Sequence, residues 1–150
     1  MIEWSQTAAA LKALPINATA GAGVAGHSMG GQATLYSAVN AEPSHNVKAA
    51  AMHHAYTHSY PAITSVPFAV FTGTLDTTGP PSRAEQIYNA KGAFGTRALV
   101  NKKGANHHEP STDYNVKLAT FTVAWFKLFV DGTPSAGGVD FHAQIYATGA

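Results

Sequence analysis

Cysteine is absent from the chain. That removes disulfides, thiolate metal sites and a cysteine nucleophile together. Charge is also scarce: Asp, Glu, Lys and Arg make up 11% of the residues and nearly balance, leaving a formal net charge of +1. With no basic stripe and no acidic run, nucleic acid and anionic membrane surfaces are poor partners. No apolar stretch approaches the about 20 residues needed to span a bilayer, so no membrane span is expected. The opening segment MIEWSQTAAALKAL has neither a basic n-region nor a long apolar run, and it does not read as a signal peptide.

What the chain does have is apolar content, 45% of 150 residues. That suits one globular domain over 1–150 with a real core. Helical and extended patterns alternate, which predicts an α/β architecture with a mostly parallel sheet flanked by helices. Trp4, Ala8, Leu11 and Leu14 predict a helix over 2–14, ended by Pro15. A strand of small residues ends at Val24-Ala25-Gly26, and a helix follows over about 30–40. Val47 to Met52 reads as a buried strand. The run Pro67 to Thr72, PFAVFT, is the clearest strand, being continuously apolar as strands covered on both faces are. A helix over 80–88, a short strand over 97–101 and a long helix over 112–130 complete the pattern. The tail from Asp131 is rich in Gly, Pro and Ser, and leaves open a loose end or a short helix near Gln144.

The segment Gly26-His27-Ser28-Met29-Gly30-Gly31 fits Gly-x-Ser-x-Gly between a strand and a helix. There the serine occupies a sharp, strained turn that lifts its hydroxyl above the sheet. The Met29 N–H, at the helix N-terminus, is placed to stabilise a developing oxyanion. The motif alone is weak; its strand–turn–helix context strengthens it.

A serine hydroxyl needs a base, and the base needs an orienting carboxylate. In such folds the chain order is serine, acid, histidine. Asp76 leaves the clearest strand, in GTLDT; as a bland alternative it is a turn aspartate. Asp113 is a second candidate, but it lies where a helix N-cap is expected. The loop after the last strand holds His107 and His108, and spacing alone does not choose between them. His53, His54 and His58 form another cluster after the strand at 47–52. Adjacent strand residues point to opposite sides, so no metal site is expected from His53 and His54.

With these pieces together, the sequence resembles the cutinase and polyester-hydrolase (PETase-like) branch of the α/β-hydrolases, relatives of the dienelactone hydrolases. The resemblance is carried by Gly-His-Ser-Met-Gly-Gly at 26–31, Gly-Thr-Leu-Asp-Thr at 73–77 with Gly79-Pro80, and Gly104-Ala105-Asn106-His107, and it runs from about residue 1 to about residue 130. It implies a serine esterase with catalytic Ser28, Asp76 and His107 (rather than His108), Met29 in the oxyanion hole, and no cofactor. It also implies a secreted protein acting on a small or polymeric ester, with His27, His53, His54 and Tyr56 near the substrate.

Three departures stand out. The family carries further strands before the elbow, whereas Ser28 lies near the start here, so the fold expected is a partial one lacking the first strands. The loop that would supply the second oxyanion N–H precedes the elbow strand. The tryptophan that polyester hydrolases place after the strand following the elbow helix is replaced by Met52-His53-His54-Ala55-Tyr56, and the family's C-terminal disulfides are absent. The leading expectation is a carboxylic ester hydrolase. Thioesterase or acyltransferase chemistry would use the same triad. A different reading is a hydrolase fragment, weakly active or inactive, that needs a partner chain or a second copy along an exposed sheet edge.

Overall fold

The computed structural model describes residues 20–112 and 115–146. Four parallel strands form the central sheet: β1 (Ala22–His27), β2 (Val47–His53), β3 (Phe68–Gly73) and β4 (Arg97–Lys102), in spatial order β1-β2-β3-β4. Helix α1 (Met29–Val39) links β1 to β2, and α2 (Pro81–Tyr88) links β3 to β4. After β4 come a single turn, α3 (Glu109–Thr112), and the long helix α4 (Val116–Phe129). The expected α/β architecture is therefore present: a parallel sheet with helices on both faces.

The period-two alternation of β2 and β3 sorts the core into two layers. Ala50, Met52, Phe68 and Val70 face Leu35 and Ala38 of α1 and Ala84 and Ile87 of α2. Ala49, Ala51, Ala69 and Phe71 face Trp125 of α4. Strand β3 is buried along its whole length, as its unbroken apolar run requires. Strand β1 differs: among the described residues it pairs only with β2, and its Ala22, Gly23 and Ala25 are exposed. Among the described residues β1 is thus an edge strand, consistent with a partial α/β-hydrolase sheet.

One expectation is corrected, one left open is decided, and two fall outside the described residues. The helix expected over 112–130 is divided. Asn115 caps α4, its side-chain oxygen accepting the Leu118 N–H at 3.0 Å, so the long helix starts at Val116, and Thr112 belongs to the separate turn α3. Asp113, weighed above as a cap, lies outside the described residues, as does the helix expected over 2–14. In the tail, β5 (Ser135–Ala136) and β6 (Val139–Asp140) form a hairpin. Gly137 and Gly138 turn it with φ of 57° and 81°, the two positive values that such a two-residue turn demands. A last helix, α5 (Phe141–Tyr146), then buries Phe141, resolving the tail in favour of the short helix.

Candidate active site

The carboxyl ends of parallel strands are where open α/β sheets bind ligands, and the chemistry-bearing residues collect there. Ser28 follows β1 directly and adopts φ 58°, ψ −119°. That is a strained conformation for a residue with a side chain, and the surroundings hold it. The Ser28 N–H donates to the His53 carbonyl at 3.0 Å, and the Ser28 carbonyl accepts from Gln32 N at 3.1 Å and Tyr56 N at 3.0 Å. Gly26 lets β1 pass close under α1: a Cβ there would stand 2.2 Å from the Gly30 carbonyl oxygen.

Asp76 and His107 lie on the loops after β3 and β4, and these loops are tied together. Thr74 N donates to the Lys102 carbonyl at 3.0 Å and Leu75 N to the Ala105 carbonyl at 2.9 Å. Gly104 N donates to Thr74 Oγ1 at 2.8 Å. The result is a continuous hydrogen-bonded line. His107 Nε2 is 2.9 Å from Ser28 Oγ, and His107 Nδ1 is 2.9 Å from Asp76 Oδ2. His108 lies off this line: it is exposed, and its ring meets that of His107 edge-on at 5.6 Å.

Asp76 is buried, 3% exposed. Burial works against its charged form. That is outweighed by hydrogen bonds from His107, from the Gly79 N–H and from His54, so its carboxyl is held below the ordinary carboxylate range. The Thr78 N–H also donates to Oδ1, at 2.9 Å.

The four residues expected near substrate differ in what their side chains touch. His27 Nε2 lies 2.7 Å from the His107 carbonyl, pinning the loop that carries the histidine. His53 turns to the α4 face, stacks on Phe71 at 4.5 Å and meets Thr122 Oγ1 at 3.3 Å. The Thr122 hydroxyl is engaged as a donor to Leu118, so His53 donates through Nε2. Burial, with the neighbouring His54 and His27, pushes its pKa down to about 4.

His54 is 2% exposed and puts Nδ1 2.8 Å from Asp76 Oδ2, so it stands behind the acid rather than open to substrate. Burial lowers its pKa despite the carboxylate beside it. Tyr56 is half-buried; its ring takes the Arg83 guanidinium at 4.7 Å and the edge of His58 at 5.3 Å. The anchoring contacts of His27 and His54 carry no sequence signal beyond the presence of a histidine at the end of a strand.

His54, Asp76 and His107 are also the set, among the described residues, whose ligand atoms converge within 4.8 Å. An ionised carboxylate only accepts, and each facing Nδ1 stands at N–H···O distance from it, so the set is read as hydrogen-bonded. A cavity of about 510 Å³ between β3, β4 and α4 is lined by His54 and Phe71 but not by Ser28, and it is not read as an acyl pocket. Among the described residues no helix is long and apolar enough to cross a membrane.

The bis(hydroxyethyl) terephthalate hydrolase of Streptomyces coelicolor is 34% identical over 110 residues, a match covering 73% of this chain and 34% of that protein. The chain thus spans about a third of the relative's length. The PET hydrolase-like family matches residues 6–135. A match over most of the chain, including the elbow, the acid turn and the histidine loop, places it: the chain belongs to the PET hydrolase-like family of α/β-hydrolases.

Proposed function

We propose that this chain is the catalytic part of a secreted serine esterase. The observation that carries the reading is the line Ser28 Oγ–His107–Asp76 Oδ2, with both hydrogen bonds at 2.9 Å. Ser28 attacks the ester carbonyl carbon while His107 takes its proton. Asp76 holds the imidazole in the Nδ1–H tautomer and stabilises the imidazolium. The tetrahedral oxyanion is met by the Met29 N–H, one of the first N–H groups of α1, which have no partner within the helix. Collapse expels the alcohol, which His107 protonates, and water then resolves the acyl-enzyme by the same steps. No cofactor takes part in this sequence. Met29 and Leu75, 71% and 62% exposed, adjoin Ser28 and Asp76 in the chain and offer apolar surface to an acyl or alcohol group. An aromatic diester such as the substrate in the relative's name is the first to try.

The exposed edge of β1 favours a second reading, in which a further strand, from a partner or a second copy, completes the sheet. A complete oxyanion hole in such folds takes its second N–H from a loop before the elbow strand, outside the described residues, and losing one donor costs about 10²–10³ in turnover.

Hydrolysis of a short-chain p-nitrophenyl ester and of bis(hydroxyethyl) terephthalate by wild type and Ser28→Ala tests both readings. Loss of activity by about 10³-fold or more in the variant supports the triad. Equal activity in the two proteins overturns it. A specific activity that rises with protein concentration, alongside a dimer in sedimentation, supports completion by a second copy.

A further inference from the structure

Two histidines share one carboxylate oxygen. Asp76 Oδ2 accepts from His107 Nδ1 at 2.9 Å and from His54 Nδ1 at 2.8 Å. The other oxygen is taken by the Gly79 N–H at 2.7 Å and the Thr78 N–H at 2.9 Å, with His107 Nδ1 also within reach at 3.1 Å. The backbone donors fix one end of the carboxyl group, and His54 is the donor that fixes the other end besides His107 itself. The site for it is built. His54 follows the last residue of β2, and its N–H donates to the Phe71 carbonyl of β3 at 2.8 Å. Its backbone is held at φ 47°, a left-handed conformation that costs a residue other than Gly or Asn about 1 kcal/mol or more. That strain turns the imidazole back across the end of β3 onto Asp76.

Resting on the esterase reading above, we propose that His54 is a positioning residue: its Nδ1–H holds Asp76 Oδ2 against His107 and shares the carboxylate charge with it. During turnover His107 must change from neutral to positive and back, while His54 stays a neutral donor. A carboxylate with only His107 on Oδ2 would be freer to rotate, and all of its charge on that oxygen would fall on His107. His107 is otherwise faced by the rings of His27 at 4.9 Å and His108 at 5.6 Å, and neither of these contacts the carboxylate.

Two variants separate positioning from bulk. His54→Phe keeps a ring and removes the donor. His54→Asn keeps an N–H donor near the Nδ1 position and suits the left-handed backbone. In His54→Phe kcat falls about tenfold with KM little changed, and the acid limb of kcat/KM moves to higher pH, since Asp76 now bears wholly on His107. His54→Asn restores both. An unmoved acid limb in a folded His54→Phe, or a His54→Asn that behaves like His54→Phe, overturns the proposal.

A measurement on the unaltered chain needs no turnover and no variant: imidazole nitrogen NMR at neutral pH gives the tautomer of His54. The Nδ1–H form is expected, and the Nε2–H form overturns the proposal even if the variants fail to fold. Because the tautomer is read without catalysis, an inactive but folded wild type would count against the esterase reading and leave this test standing.

Discussion

The His27 ring lies 4.9 Å from the ring of His107 and reaches the His107 main-chain carbonyl at 2.7 Å. A carbonyl only accepts, so His27 Nε2 carries the proton. Strand β1 thereby grips the loop after β4 across the intervening strands. His27→Phe should lower kcat about tenfold by loosening that loop, at a stability cost of about 1 kcal/mol for one hydrogen bond. The acid limb of the pH profile should stay in place, because His27 does not touch the carboxylate. Steady-state kinetics with a thermal melt check this.

Asp76 bears on stability as well as on the proposed catalysis. Its folded-state pKa is depressed, so it contributes stability that is present above the unfolded value of about 3.9 and is lost as pH falls through the folded value. Asp76→Asn should lower kcat by about 10⁴, since the amide permits the wrong histidine tautomer. It should also flatten the stability loss below about pH 4. Denaturant melts from pH 2 to pH 7 on both proteins test the second claim independently of activity.

His53 predicts sensitivity in a milder range. It is half-buried and neutral, with a pKa of about 4, whereas an unfolded histidine titrates near 6.5. As pH falls through 6.5 the unfolded chain takes up a proton that the folded chain refuses, so stability declines until about pH 4 and then levels. Between pH 8 and pH 5 this amounts to about 2 kcal/mol. The lowered His54 adds a loss of the same sign. In His53→Leu the decline over that interval should shrink but not vanish, as read by urea melts at the two pH values.

The elbow tolerates no side chain at Gly26. An added Cβ would stand 2.2 Å from the Gly30 carbonyl oxygen and 2.8 Å from Thr34 Oγ1. Gly26→Ala must push α1 away from β1, at a cost of about 1–3 kcal/mol. Because Ser28 sits between the two elements, activity should fall further than the loss of folded protein explains. Comparing active-site titration with a serine-directed phosphonate against the folded fraction by circular dichroism distinguishes the two effects.

Much of this protein was legible in its order of residues. The apolar run of β3, the small-residue strand before Gly-His-Ser-Met-Gly and the alternation of elements were enough for a parallel α/β sheet, because buried strands and amphipathic helices leave local patterns. The same local reading named Ser28 and Asp76, each just past a strand end, where parallel sheets expose their residues. It left His107 and His108 equal, since neighbours in a loop differ only in which way the chain turns; with the loop tied through Thr74, Leu75 and Gly104, the His107 ring is the one that lies between Ser28 and Asp76.

The start of α4 differs from the helix expected over 112–130 because Asn115 caps it, its side-chain oxygen taking the Leu118 N–H. The histidines show the limit most clearly. His27, His53, His54 and Tyr56 are alike in the sequence as polar or aromatic residues at strand ends. Only the tertiary structure sends His27 to a backbone carbonyl, His53 under α4, His54 onto the acid and Tyr56 beneath Arg83. Chain order determined which residues reach the carboxyl edge of the sheet. The packing of strands, loops and helices around that edge decided which of them meet, because contacts between residues distant in sequence have no periodicity to betray them.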